Sequence, residues 1–74
     1  MKQIKYTLLL KDLRKELGLT QQQVAQRLNT SQQNYQRYEA GLIEPDITTL
    51  ILLSIIFDVS INDLIKYEKI GFDE

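Results

Sequence analysis

The stretch Thr20–Gly41, TQQQVAQRLNTSQQNYQRYEAG, contains seven of the eight glutamines in this 74-residue chain. Two helical segments fit it, because Thr20 opens a T-x-x-Q capping box and Ser31 is a second N-cap residue. Only Asn29 and Thr30 separate the segments, and asparagine tolerates the left-handed backbone of a tight turn. A connection this short predicts two helices that cross steeply.

The same helical spacing continues on both sides of this stretch. Before it, a first helix is predicted from about residue 7 to residue 17, with Gly18 as a left-handed stop. Its inward stripe would be formed by Leu10, Leu13 and Leu17. After it, a fourth helix over about residues 47–57 follows the N-cap residue Asp46, and a short fifth helix follows Ser60.

The chain shows no segment that alternates apolar and polar residues with the period of two expected for a strand. We therefore predict an all-α fold, a compact bundle of five helices. One domain accounts for residues 1–74, with a core over about 7–66 and a tail over 67–74. The most apolar run, LILLSIIF, is shorter than the roughly 20 residues of a membrane span, and we expect a cytoplasmic protein.

The composition excludes several classes of site. Without cysteine or histidine, the chain has no thiolate zinc site, no Cys or His nucleophilic dyad and no imidazole base, so we expect neither an enzyme nor a metal or cofactor site. The net charge of −1 is unevenly distributed. Residues 1–37 carry seven basic and two acidic side chains, hence +5, whereas residues 38–74 carry two basic and eight acidic ones, hence −6. Such asymmetry favours one positive face that meets phosphates.

The third helix has two chemically different sides. At about 100° per residue, the tyrosines at 35 and 38 share one side with Glu39, and the amides share the other with Arg37. The amide side could be an ordinary solvated surface, but such surfaces normally mix lysine with glutamate. Glutamine and asparagine amides match the edge of adenine, and arginine matches that of guanine. The outward side, with Gln32, Gln33, Gln36 and Arg37 on it and Asn34 at its margin, therefore has the chemistry and direction of a base-reading surface.

Four stretches of the chain resemble the Cro/phage-repressor (XRE-like) helix-turn-helix family. They read LKDLRKELGLTQQQVAQRL, SQQNYQRYEAG, PDITTL and FDVSINDLI, and together they cover about three-quarters of the chain. The resemblance implies a lambda-repressor-like domain in which the second and third helices form the helix-turn-helix. It also implies a DNA-binding transcriptional regulator, most simply a Cro-like repressor that binds a near-palindromic operator as a dimer.

Carried over to this chain, the resemblance implies base-edge contacts from Gln32, Gln33 and Gln36, with Arg37 and Asn34 as further readers. Gln21 matches a glutamine that bonds a phosphate oxygen, with Thr20 and Ser31 as neighbouring backbone contacts. Arg14 and Glu39 match an ion pair that ties the first helix to the end of the third helix, which is the recognition helix in this family. The family often has basic residues after the recognition helix, whereas this chain has Ala-Gly-Leu-Ile-Glu. The phosphate contacts expected from that loop are therefore in question.

The fourth helix has more apolar residues than its own core requires. We predict that the surplus forms an exposed homodimer interface of Leu42, Ile43, Ile51 and Ile55. The other explanation is that Ile70 and Phe72 of the tail fold back and cover it. A protein-interaction module on the same fold, of the antitoxin or anti-repressor kind, is the alternative function. The acidic loop favours that alternative, and the uninterrupted amide face favours DNA.

Overall fold

The computed structural model describes residues 5–68, which form five α-helices and a two-stranded antiparallel sheet. The five predicted helices are confirmed, each close to its predicted position. In chain order the elements are β1 (Lys5–Leu8), α1 (Leu10–Glu16), α2 (Gln21–Leu28), α3 (Gln32–Ala40), α4 (Ile47–Phe57), α5 (Ile61–Leu64) and β2 (Ile65–Glu68).

The sheet corrects the prediction at both ends of the chain. Strand β1 pairs with β2, and Tyr6 lies opposite Tyr67. The first helix was predicted to begin at about residue 7 but begins at Leu10, because the preceding residues belong to β1. The predicted tail also began too early, since residues 67 and 68 belong to β2. KYTL and IKYE do alternate, but over only four residues each. Residues 69–74 lie outside the described part.

The helix starts are set by the side chains expected to cap them. The Thr20 hydroxyl accepts a hydrogen bond from the Gln23 amide at 3.0 Å, and the Gln23 side chain accepts one from the Thr20 amide at 2.8 Å. The other three predicted caps each accept a bond from the backbone amide three residues ahead: Ser31, Asp46 and Ser60. Asn29 adopts φ = 59°, the left-handed conformation that the short connection requires.

Every helix contributes at least one side chain to a single core. Tyr35 is its largest member and is completely buried at the centre of α3. The buried hydrophobic residues are Leu10, Val24, Ala25, Tyr35, Leu53, Phe57 and Leu64. Leu17, predicted to face inward, is instead half exposed because it lies just after the last residue of α1. This shared core fixes the orientation of α3 relative to the other helices.

Candidate nucleic-acid interface

The amide side of α3 faces solvent, and its other side faces the core. The side chains of Gln32, Gln33, Gln36 and Arg37 are exposed, whereas Tyr35 is buried and Tyr38 is half-buried. The N-cap Ser31 begins the helix, and the left-handed Gly41 ends it. A nine-residue helix anchored along one side presents the other as a rigid row of donors and acceptors. An α-helix fits the major groove of B-DNA, where such side chains can meet base edges.

Asn34 occupies a different environment from the other predicted readers. It is half-buried, and its side-chain amide donates a hydrogen bond to the Thr30 hydroxyl at 2.9 Å. Its backbone amide donates to Ser31 Oγ at 3.0 Å. The side chain therefore stabilises the turn between α2 and α3, and one of its amide hydrogens is already used. A base contact from Asn34 stays a prediction, and it requires this residue to release or share that bond.

Three helices are tied together by the carboxylate of Glu39. Arg14 Nε of α1 lies 2.5 Å from Glu39 Oε2, and the Arg14 and Glu39 side chains are only 12% and 5% exposed. The side-chain amide of Gln21, the first residue of α2, donates to Glu39 Oε1 at 3.0 Å. Arg14 also donates to the carbonyl oxygen of Leu19 at 2.9 Å. This network sets the angles at which α1 and α2 meet the recognition helix.

The predicted backbone contacts cluster at two helix N-termini. Gln21 is at the first position of α2 with Thr20 before it, and Ser31 precedes α3. Neither helix has an acidic residue in its first turn, so the positive end of each helix dipole is uncompensated. Because one amide hydrogen of Gln21 is used by Glu39, its other hydrogen and its backbone amide remain for a phosphate oxygen. The arrangement suits an anionic backbone.

Comparison with known families identifies the class of domain. A helix-turn-helix family model matches residues 10–64, which include all five helices. The chain belongs to the Cro/C1-type helix-turn-helix family. This membership confirms the resemblance found in the sequence, and the family comprises DNA-binding transcriptional regulators rather than enzymes. In this helix-turn-helix protein, α2 and α3 are the two helices of the motif.

Several bacterial regulators are similar to this helix-turn-helix protein. The HTH-type transcriptional regulator YqaE of Bacillus subtilis (strain 168) is 48% identical over 60 residues, which are 81% of this chain and 52% of that protein. The HTH-type transcriptional regulator ImmR of the same organism is 34% identical over 62 residues, 84% and 49% of the two chains. The chain thus spans about half the length of these curated relatives.

A solved structure shares the fold. The crystal structure of a transcriptional regulator from Listeria innocua superposes with a TM-score of 0.73 at 35% sequence identity, over 88% of this chain and 61% of that one. Within residues 5–68 no helix is long and apolar enough to cross a membrane. In the same part of the chain, no three carboxylate, cysteine or histidine side chains are grouped as metal ligands.

An apolar surface lies beside the helix-turn-helix. Ile47, Ile51 and Ile55 recur at intervals of four residues and are exposed along one side of α4, and Leu52 next to them is also exposed. The loop after α3 adds Leu42 and Ile43, which are exposed as well. By contrast, Ile56 and Leu50 pack against the core. The four residues predicted as a dimer interface are therefore all accessible, and exposed apolar side chains of this kind often mark an interaction site.

Sequence reasoning did not find one contact near this surface. The hydroxyl of Tyr6 in β1 donates a hydrogen bond to the carboxylate of Glu44 in the loop between α3 and α4. The alternation in KYTL and IKYE was the available signal for these strands. It places Tyr6 and Tyr67 on the same side of the sheet as Leu8 and Ile65. Glu44, which stands where the family often has a basic residue that contacts phosphate, is thus hydrogen-bonded to the sheet.

Acid is expected to destabilise the domain through Glu39. Burial alone would raise the pKa of its carboxyl, but the hydrogen bonds from Arg14 and Gln21 outweigh burial and lower the pKa below the ordinary 4.5. The unfolded chain then binds the proton more readily, so stability is full above about pH 4.5 and falls as pH drops through the lowered value. The amide of Thr49 lowers the pKa of Asp46 and acts with the same sign.

Urea unfolding at a series of pH values measures this effect. The free energy of unfolding should be nearly constant near neutrality and fall with increasing slope under about pH 4.5. A Glu39→Gln variant lacks the titrating group and should show a shallower fall. Equal slopes for the two proteins would contradict the assignment to Glu39.

Proposed function

We propose that the chain is a Cro-like repressor that binds a near-palindromic operator as a dimer, with α3 of each copy in the major groove. The observation that carries this proposal is the exposed amide row of α3, held by a helix whose opposite side is buried in the core. Gln32, Gln33 and Gln36 would read base edges, with Arg37 at the far end of the row. Bound protein would repress by occupying the promoter, in the cytoplasm with the bacterial DNA.

The charge distribution supports DNA as the partner. From Thr20 to Tyr38 the chain contains no acidic residue, and Arg27 and Arg37 are exposed there. Glu39 is the first acid after them, and Arg14 neutralises it. The loop after α3 has no base, so fewer phosphates would be neutralised than in relatives with a basic loop. We therefore expect binding to depend less steeply on salt. The slope of the logarithm of the binding constant against the logarithm of salt concentration changes by about 0.9 for each phosphate contact.

The dimer is proposed to form through the exposed apolar surface. Helix α4 contains no charged side chain, so two copies can bring this side together without burying a charge. The surface comprises Leu42, Ile43, Ile51 and Ile55. A two-fold axis through it would present two recognition helices to half-sites one helical turn apart, about 34 Å.

Selection from a random DNA library tests the function directly. Fragments bound by the protein should share an inverted repeat with half-site centres about one helical turn apart. A salt titration on the selected site should then separate phosphate contacts from base contacts. Recovery of no preferred sequence by a folded protein would overturn sequence-specific binding and favour the protein-interaction alternative.

Replacing Ile55 with glutamate should weaken the dimer. Ile55 is 67% exposed, so the variant should fold normally, but a dimer would have to bury the new carboxylate without a partner. We expect the dissociation constant to rise by at least about tenfold, as measured by sedimentation equilibrium. Lys11→Glu is the matched control, because Lys11 is an exposed residue of α1 outside the apolar surface. An unchanged sedimentation profile for Ile55→Glu would remove α4 from the interface.

A further inference from the structure

An open groove separates the two-stranded sheet from the C-terminal end of α3. It has a volume of about 990 Å³, enough for several side chains, and lies at the opposite end of α3 from Gln32 and Gln33. Three tyrosines line it: Tyr6, Tyr38 and Tyr67. Its other wall is the loop that follows α3. The groove is therefore well separated from Gln32 and Gln33 at the start of α3.

The two-stranded sheet covers the core with only half of its inner face. The pairing of β1 with β2 places Tyr6, Leu8, Ile65 and Tyr67 on one side of the sheet. Leu8 and Ile65 pack against the core, whereas Tyr6 and Tyr67 are 44% and 57% exposed. A two-stranded sheet gains its stability from what packs on its face. Within residues 5–68, nothing buries the two tyrosines.

An apolar side chain projects from the loop next to this groove. Leu42 is 74% exposed, and its neighbours Gly41 and Ile43 both line the groove. Leu42 itself does not line it, so it cannot fill the groove of its own chain. A projecting leucine beside an aromatic groove is a pair of features that a two-fold axis can match reciprocally.

The charges at the groove are also suited to such an axis. Three charged residues line it: Glu39, which is almost buried and paired with Arg14, and the exposed Glu44 and Lys66, which form no described ion pair with each other. One acid and one base are complementary to the same two residues of a second copy turned by 180°. A strongly acidic or basic partner would meet a like charge at one of them.

We propose that a second copy of this chain covers the groove, with Leu42 of each copy packed against Tyr6 and Tyr67 of the other. Glu44 of each copy then faces the partner's Lys66. This inference rests on the proposed dimer and specifies its geometry, since Ile43 belongs both to the groove and to the apolar surface. The interface is isologous, so every contact occurs twice.

Charge reversal tests the reciprocal contact. Glu44→Lys and Lys66→Glu should each raise the dimer dissociation constant by about fivefold or more in sedimentation equilibrium at low salt, because each creates two like-charge pairs. The double variant Glu44→Lys/Lys66→Glu restores opposite charges and should return to within about twofold of the original protein. Tyr6→Phe separates the loss of the Tyr6–Glu44 hydrogen bond from the change of charge.

A second variant examines the apolar contact. Leu42→Asp should raise the dissociation constant by at least about tenfold without altering thermal unfolding of the monomer, because Leu42 is exposed in the single chain. The groove contact is overturned and the proposed dimer stands if Ile55→Glu dissociates the dimer while the charge variants do not, whatever the result for Leu42→Asp, because Leu42 belongs to both proposed contacts. If the original protein is monomeric, or no variant changes its association, both are overturned. Occupation of the groove by the chain's own tail or by another protein would give the same negative result.

Discussion

Glu39→Ala is expected to lower the free energy of unfolding by about 3 kcal/mol. The substitution leaves the guanidinium of Arg14, 12% exposed, with the Leu19 carbonyl oxygen as its remaining described acceptor. It also removes the acceptor of the Gln21 side-chain amide. A largely buried cation without its carboxylate keeps its desolvation cost and loses the compensating attraction. Because one carboxylate joins α1, α2 and α3, its loss is felt across the whole helix-turn-helix.

Urea unfolding followed by circular dichroism measures this change. Glu16→Ala is the matched control, since Glu16 is an exposed acid at the end of α1, and its removal should change stability by less than about 0.5 kcal/mol. A Glu39→Ala variant that loses less than about 1 kcal/mol would show that the network contributes orientation without stability. In that event DNA affinity should still fall, because α2 and α3 would lose their fixed angle.

Gln33→Ala is expected to cost about 1–3 kcal/mol of binding to the selected operator while leaving non-specific DNA affinity unchanged. Gln33 is exposed at the second position of α3 and lies on the amide side. A bidentate amide contact distinguishes bases, so its removal should lower affinity for the preferred site and relax preference at one base pair. Stability should not change, because the side chain makes no described contact with the core.

Fluorescence anisotropy with operator and scrambled duplexes separates the two effects. Gln26→Ala is the control, since Gln26 is an exposed glutamine of α2 that lies outside the recognition helix. It should bind both duplexes as the original protein does. Equal losses by Gln33→Ala on operator and scrambled DNA would remove Gln33 from the base-reading residues and reassign it to the phosphate backbone.

The glutamines of Thr20–Gly41 have different structural roles, and only some were predictable from the sequence. The role of Gln23 in the capping box was predictable from the sequence, because Gln23 lies three residues after Thr20 and capping joins residues at that spacing. The hydrogen bond from Gln21 to Glu39 joins residues 18 positions apart. No local pattern specifies such a contact, since it depends on the crossing angle of α2 and α3.

Local sequence by itself determined where α2, α3, α4 and α5 begin and which side of them faces the core, whereas α1 begins three residues later than predicted and Leu17 does not face inward. Caps, left-handed turn residues and apolar spacing involve residues three or four positions apart, so they can be identified from the sequence directly. The strands were missed because their pairing is not local. Four alternating residues carry too little pattern, and β1 and β2 exist only because the folded helices bring residues 5–8 and 65–68 together.

Tertiary structure alone decided the arrangement of the surfaces. It joined Tyr6 to Glu44 and left Leu42 projecting beside a groove lined by tyrosines from three elements. These are contacts between segments distant in the chain or consequences of what remains uncovered after packing. Sequence patterns describe which side of a helix is apolar, whereas the neighbour that covers it is set by the three-dimensional packing of the whole domain.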